Sequence, residues 1–64
     1  MESYRRKVRV VSETLFYHEV VVQIKLGFFW VTVWREMCDV DDHDEIEYLT
    51  NCAEEVAEKF AETV

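Results

Sequence analysis

The sequence predicts an α+β domain in which a three-stranded antiparallel meander carries one C-terminal amphipathic helix, in the order β-β-β-α. Three observations predict it. Two runs rich in β-branched and aromatic residues, FYHEVVVQIK and FFWVTVWRE, flank the only glycine, Gly27. The apolar spacing changes from two to between three and four after about residue 42. The chain contains no proline to interrupt either pattern.

The first strand is expected over residues 4–11, YRRKVRVV, which ends in alternating Val8 and Val10. SETL follows as a loop. The second and third strands are expected over 16–25 and 28–36, joined at Gly27, where a tight hairpin needs positive φ. The helix is expected over about 42–62, because Ile46, Leu49, Ala53, Val56 and Phe60 recur at steps of three and four, with Cys52 and Ala57 beside them. A helix of that length, about 30 Å, spans the sheet. No linker, repeat or low-complexity segment divides residues 1–64, which read as one domain.

A two-residue turn at Leu26-Gly27 sets a definite register. It places Ile24 opposite Phe29, Val22 opposite Val31 and Val20 opposite Val33, all on one face. A three-residue loop between the first two strands adds Val8 and Val10 to that face and sets Arg9 opposite Glu19 as a cross-strand charge pair. His18 falls on the same side, near its edge. Phe28, Trp30, Thr32, Trp34, Tyr17, Val21, Arg5, Lys7 and Arg9 then point the other way.

Size narrows the function classes. A chain of 64 residues buries only about 60% of its unfolded surface, and a walled pocket is hard to build from so little chain. Half of the residues are hydrophobic, enough for a folded core and too many for a disordered acidic tail. The start, MESYRRKVRVV, has no apolar run of the signal-peptide kind. Phe28 to Trp34, the longest apolar stretch, is far short of the ~20 residues of a membrane span. The expectation is a soluble cytoplasmic protein with no membrane partner. Cys38 and Cys52 are expected as thiols in a reducing compartment.

The net charge of −7 hides a division: residues 1–35 carry +3 and residues 36–64 carry −10. Its densest part is CDVDDHDEIE, residues 38–47, with six carboxylates. Asp42 and Glu45 fit a capping box, and Asp41, Asp44 and Glu47 place negative charge at the positive end of a helix dipole. A metal reading fails on ligands. An EF-hand loop begun at Asp39 puts His43, Asp44 and Thr50 at positions needing other residues, and Cys38, His43 and Cys52 lack zinc-site spacing and a fourth ligand. Cys38 with His43 as nucleophile and base lacks an orienting group and oxyanion donors. No enzyme, metal or cofactor is expected.

Capping leaves a remainder. Glu47, Glu54, Glu58 and Glu62 share the expected solvent face, with Glu55 beside them and only Lys59 opposing. Like charges at i, i+4 cost a few tenths of a kcal/mol, so the ridge is either a solvated face that helps solubility or a surface suited to a basic partner, where attraction raises encounter rate and selectivity. The opposite sheet face, with two indoles and Tyr17, Phe28, Arg5, Lys7 and Arg9, is more apolar than a monomer leaves in water. A second copy, another protein, or single-stranded nucleic acid stacked on the aromatics could cover it. The −10 charge of the second half counts against direct nucleic-acid binding.

In size, acidity, strand-rich front and glutamate-rich helix, the chain resembles small phage-encoded inhibitors of host defence, the anti-CRISPR proteins and other DNA mimics. That resemblance implies an inhibitor in host cytoplasm presenting Asp41, Asp42, Asp44, Glu47, Glu54, Glu58 and Glu62 to a basic, nucleic-acid-binding surface of a host protein. FFWVTV followed by CAEEVAEKFAETV is similar to the sheet-to-helix order of HicB-type antitoxin domains, although the glycine-containing loop before the helix is missing. The expected function is a small acidic protein-binding module, homodimeric through its tryptophan face. The alternatives are a single-stranded nucleic-acid-binding module and a HicB-like domain.

Overall fold

The computed structural model describes the backbone of residues 2–5 and 7–63 and the side chains of residues 7–63. The chain forms β1 (Glu2–Arg5), β2 (Val8–Thr14), β3 (Tyr17–Leu26), β4 (Phe29–Asp39) and α1 (His43–Thr63). The strands lie in the order β1-β2-β3-β4, every neighbouring pair antiparallel, and α1 packs across one face. The α+β class, the meander and the terminal helix are those the sequence predicts. The stretch expected as one strand over 4–11 instead holds parts of β1 and β2, so the sheet gains a short fourth strand at its edge.

Packing explains the covered face. Val8, Val10, Val20 and Val22 meet Leu49, Ala53 and Ala57 of α1, all of them buried. Each fully buried valine contributes about 1.5 to 3 kcal/mol. The two alanines let the helix backbone approach the valine surface closely. Ile24, Val33, Trp34, Cys38, Val56, Phe60 and Ala61 close the margins of this core.

The register differs from the expected one in three places. The β3–β4 turn is Gly27-Phe28, one residue later, with Leu26 paired to Phe29 and Ile24 to Val31. Gly27 has φ +64° and open space where a Cβ would stand. Backbone conformation, and not crowding, is therefore what requires glycine. The β2–β3 connection has two residues, Leu15-Phe16, so β2 is displaced along β3. Arg9 pairs with Gln23 and Glu13 with Glu19, in place of the expected Arg9–Glu19 pair. An even displacement leaves Val8 and Val10 on the covered face.

The third difference changes sides. A bulge at Val33 separates the Gln23–Thr32 pair from the Val22–Trp34 pair. From there on alternation is reversed: Val22 lies opposite Trp34 and Val20 opposite Glu36, not opposite Val31 and Val33. Unbroken alternation would have turned Arg35, Met37 and Asp39 toward the helix and Trp34 and Cys38 toward water. Placing charges against an apolar core costs several kcal/mol; the inserted residue keeps Arg35 and Asp39 off that side and brings Trp34 and Cys38 to the core margin, with Glu36 on the same side but exposed. Trp34 therefore packs on the core, correcting its expected outward position.

At the helix start, the Glu45 N–H donates to Asp42 Oδ1 at 3.2 Å and the Ile46 N–H to the Asp42 carbonyl at 3.0 Å. Asp42 is the N-cap that the sequence predicts. Its own N–H donates to the Asp39 carbonyl at 3.2 Å, so the tight turn between β4 and α1 takes the donor a full capping box would assign to Glu45.

Candidate interaction surfaces

Two surfaces remain after packing: the outer side of α1 and the uncovered face of the sheet. On α1, Asp44, Glu47, Glu55, Glu58 and Glu62 are exposed, whereas Glu54 is half-buried on the flank of the helix. Asp41 and Asp42 are exposed in the turn before it. The expected ridge is present with Glu54 at its margin and Glu55 nearer its centre.

Helix physics accounts for only part of this charge. Asp42, Asp44 and Glu45 stand where the dipole favours carboxylates. Glu62 stands in the last turn, where the dipole disfavours it, with Glu58 one turn before it, and the last turn contains no basic residue. From Asp44 to Glu62 the helix rises about 27 Å. Seven carboxylates and Lys59 over that length give one net negative charge per about 4.5 Å, close to the 3.4 Å of a single DNA strand.

On the uncovered face, Arg9, Gln23 and Thr32 form a chain across three strands. Arg9 Nε donates to Gln23 Oε1 at 2.7 Å, and Gln23 Nε2 donates to Thr32 Oγ1 at 3.1 Å. The Arg9 guanidinium lies over the Trp30 ring, 4.1 Å from its centroid, a cation–π contact. Arg35 Nε donates to Glu19 Oε2 at 2.7 Å and so offsets the facing Glu13–Glu19 pair. Apart from Trp30, these groups and Val11 and Val21 line a shallow trough of about 390 Å³.

The sequence-expected residues of this face are only partly brought together. Trp30, Arg9 and Tyr17 share it, Tyr17 being 59% exposed at one end. Phe28 is 96% exposed in the turn, and Lys7 is exposed in the β1–β2 connection. Trp34 belongs to the covered side. Arg5 lies in β1, and its side chain is outside the described residues. Arg35 and Met37, absent from the expected set, join the face because the bulge turns them there. No sequence signal marks that exchange.

The reactive groups sit elsewhere. Partial burial, reinforced by Glu45, Asp42 and Asp39, pushes the Cys38 thiol above its ordinary value, which lowers its thiolate fraction at neutral pH. Tyr48 is pushed up by its hydrogen bond to Cys52, then by Cys52 as a charge, partial burial, Glu45 and Glu55. On the covered side, Thr14 Oγ1 and His18 Nδ1 are 2.8 Å apart. Among the described residues, no group of three or more His, Cys, Asp or Glu side chains is arranged to hold a metal ion. No helix among them is long and apolar enough to cross a membrane.

No protein-family model, curated protein or solved structure matches this chain.

Proposed function

We propose that the protein is a binding module whose acidic helix docks on a basic, nucleic-acid-binding surface of another protein, in the manner of a phage or mobile-element inhibitor. One observation carries the reading. Glu58 and Glu62 are exposed toward the end of α1, where Glu62 opposes the dipole and Glu58, four residues from both Glu54 and Glu62, opposes its neighbours. Charge retained at a cost to the fold is charge with an external use. The spacing of the ridge supports a site that otherwise receives phosphates.

The sheet is the weaker place for single-stranded nucleic acid. Arg35 is committed to Glu19. Glu13 and Glu19 line the same trough, where they repel phosphates.

The test uses the immobilised chain, host-cell extract and duplex DNA as competitor. Wild type should retain a basic protein that both added salt and DNA displace. Combined Glu47→Lys, Glu58→Lys and Glu62→Lys, all at exposed positions, should retain none while preserving the helical circular-dichroism signal. Retention that survives the triple substitution or is indifferent to DNA overturns the proposal.

A further inference from the structure

We infer that the uncovered face of the sheet is a homodimer interface, in which two copies stack face to face about a two-fold axis perpendicular to the strands.

The register orders charge along the strands of that face. At the Gly27 end stand Lys25 and Arg9, with Lys7 beside them, its carbonyl accepting from the Lys25 N–H at 2.8 Å. At the other end, the registers of β2–β3 and β3–β4 place Glu13, Glu19 and Asp39. Between the two ends lie Val11 and Val21, paired with each other across β2 and β3. Among the described residues, this face thus carries three bases at one end and three acids at the other, with Val11 and Val21 between them beside Arg35, which pairs with Val21 across β3 and β4 and is held by Glu19.

That order is self-complementary under one symmetry only. A two-fold axis across the strands at the level of Val21 reverses the second copy end for end. Glu13 of each chain then meets Arg9 of the other, and Tyr17 meets Lys25. Each contact occurs twice, as an isologous interface requires. An axis parallel to the strands would set base on base and acid on acid, and like-charge juxtaposition costs several kcal/mol. Arg35 falls near the transverse axis, but Glu19 of its own chain already holds it at 2.7 Å. Val11 and Val21 supply the apolar part of the centre, beside the internally paired Arg35 and Glu19, and the charges at the two ends supply the rim.

The area is sufficient for a weak, exchanging dimer. From strand spacing and rise, the face projects about 500 Å² per copy, so the pair buries about 1,000 Å², the lower bound for a specific interface. Edge-to-edge pairing through β4 is the poorer alternative, because the bulge at Val33 interrupts its ladder.

Sedimentation across a concentration series reaching the millimolar range tests the inference. Wild type should pass from 7.7 kDa to twice that mass. Val21→Lys should remain monomeric with unchanged circular dichroism. Arg9→Glu and Glu13→Arg should each be monomeric alone, since each sets like charges opposite, yet should dimerise with each other when mixed, since both cross-axis pairs are then restored. A wild type that stays monomeric throughout overturns the inference. So do single charge variants that dimerise as wild type does, or a mixture that fails to recover. Because the helix lies on the other side, failure here leaves the acidic-ridge proposal standing, and the reverse also holds.

Discussion

The two faces of this sheet are built from alternate residues of the same strands and obey different rules. Val8, Val10, Val20 and Val22 face α1 and are buried; Arg9, Val11, Val21 and Gln23, one position along, face away and are half-buried. On the covered side, the requirement is volume and apolarity, and valine answers it at four positions. On the uncovered side, Arg9 is tied to Gln23 and Trp30, Gln23 to Thr32 and Arg35 to Glu19 by charge or hydrogen bonding. The covered face is determined by the chain's own packing. The other face is the one proposed above as a dimer interface.

The strongest way to break the comparison is to put one charge on each face. Val22→Asp leaves a carboxylate without a partner among Val8, Val20 and Ala53, and should cost more than about 4 kcal/mol, enough to abolish cooperative urea unfolding. Val21→Asp, measured at low concentration, should keep a cooperative transition within about 1 kcal/mol of wild type. Equal losses would show that the faces do not differ as described.

The two indoles sharpen the same contrast. Trp34→Ala removes packing from the core margin and should cost about 2 to 3 kcal/mol in chemical denaturation, below the loss for a fully buried tryptophan. Trp30→Ala removes the Arg9 contact from an open face and should cost about 1 kcal/mol. A reversed order would place Trp30, and not Trp34, on the core.

A smaller difference separates the acidic residues that serve the helix from those that do not. Asp42→Ala deletes the N-cap and should lower thermal stability by about 1 kcal/mol. Glu62→Gln, where the carboxylate opposes the dipole, should raise it by about 0.3 kcal/mol or more. Smallest of all is a rate: alkylation of Cys38 at pH 8 should be slower than for an unperturbed cysteine. Its raised folded-state pKa leaves less thiolate at that pH, and the difference should close as pH rises through that pKa.

What could be read in advance follows from where the determinants lie. The β3–β4 hairpin, the helix and its cap are encoded locally, in Gly27, in the spacing Leu49-Ala53-Phe60 and in Asp42. The division between β1 and β2 is not legible because YRRKVRVV has neither glycine nor proline to mark a turn. The bulge escaped for a deeper reason. FFWVTVW is apolar at every position but Thr32 and so marks no change of side, and the insertion at Val33 is selected by whether Trp34 or Arg35 better suits the space beside Val22, a question about another strand. The charge order of the uncovered face was hidden with it, since Arg35, Met37 and Asp39 change sides there. Of the acidic ridge, only Glu54 was misplaced, at a flank where a rotation of a few tens of degrees decides exposure.

The meander itself has a kinetic consequence. Each strand pairs with the strand before it through connections of two residues, so successive hairpins close small loops and nucleation can begin at Gly27 without waiting for distant chain segments. Only the docking of α1 draws remote parts of the chain together, and without proline there is no slow isomerisation to delay it. The molecule should refold in a single fast phase, quickly enough to hide its valine surface before neighbouring chains can find it.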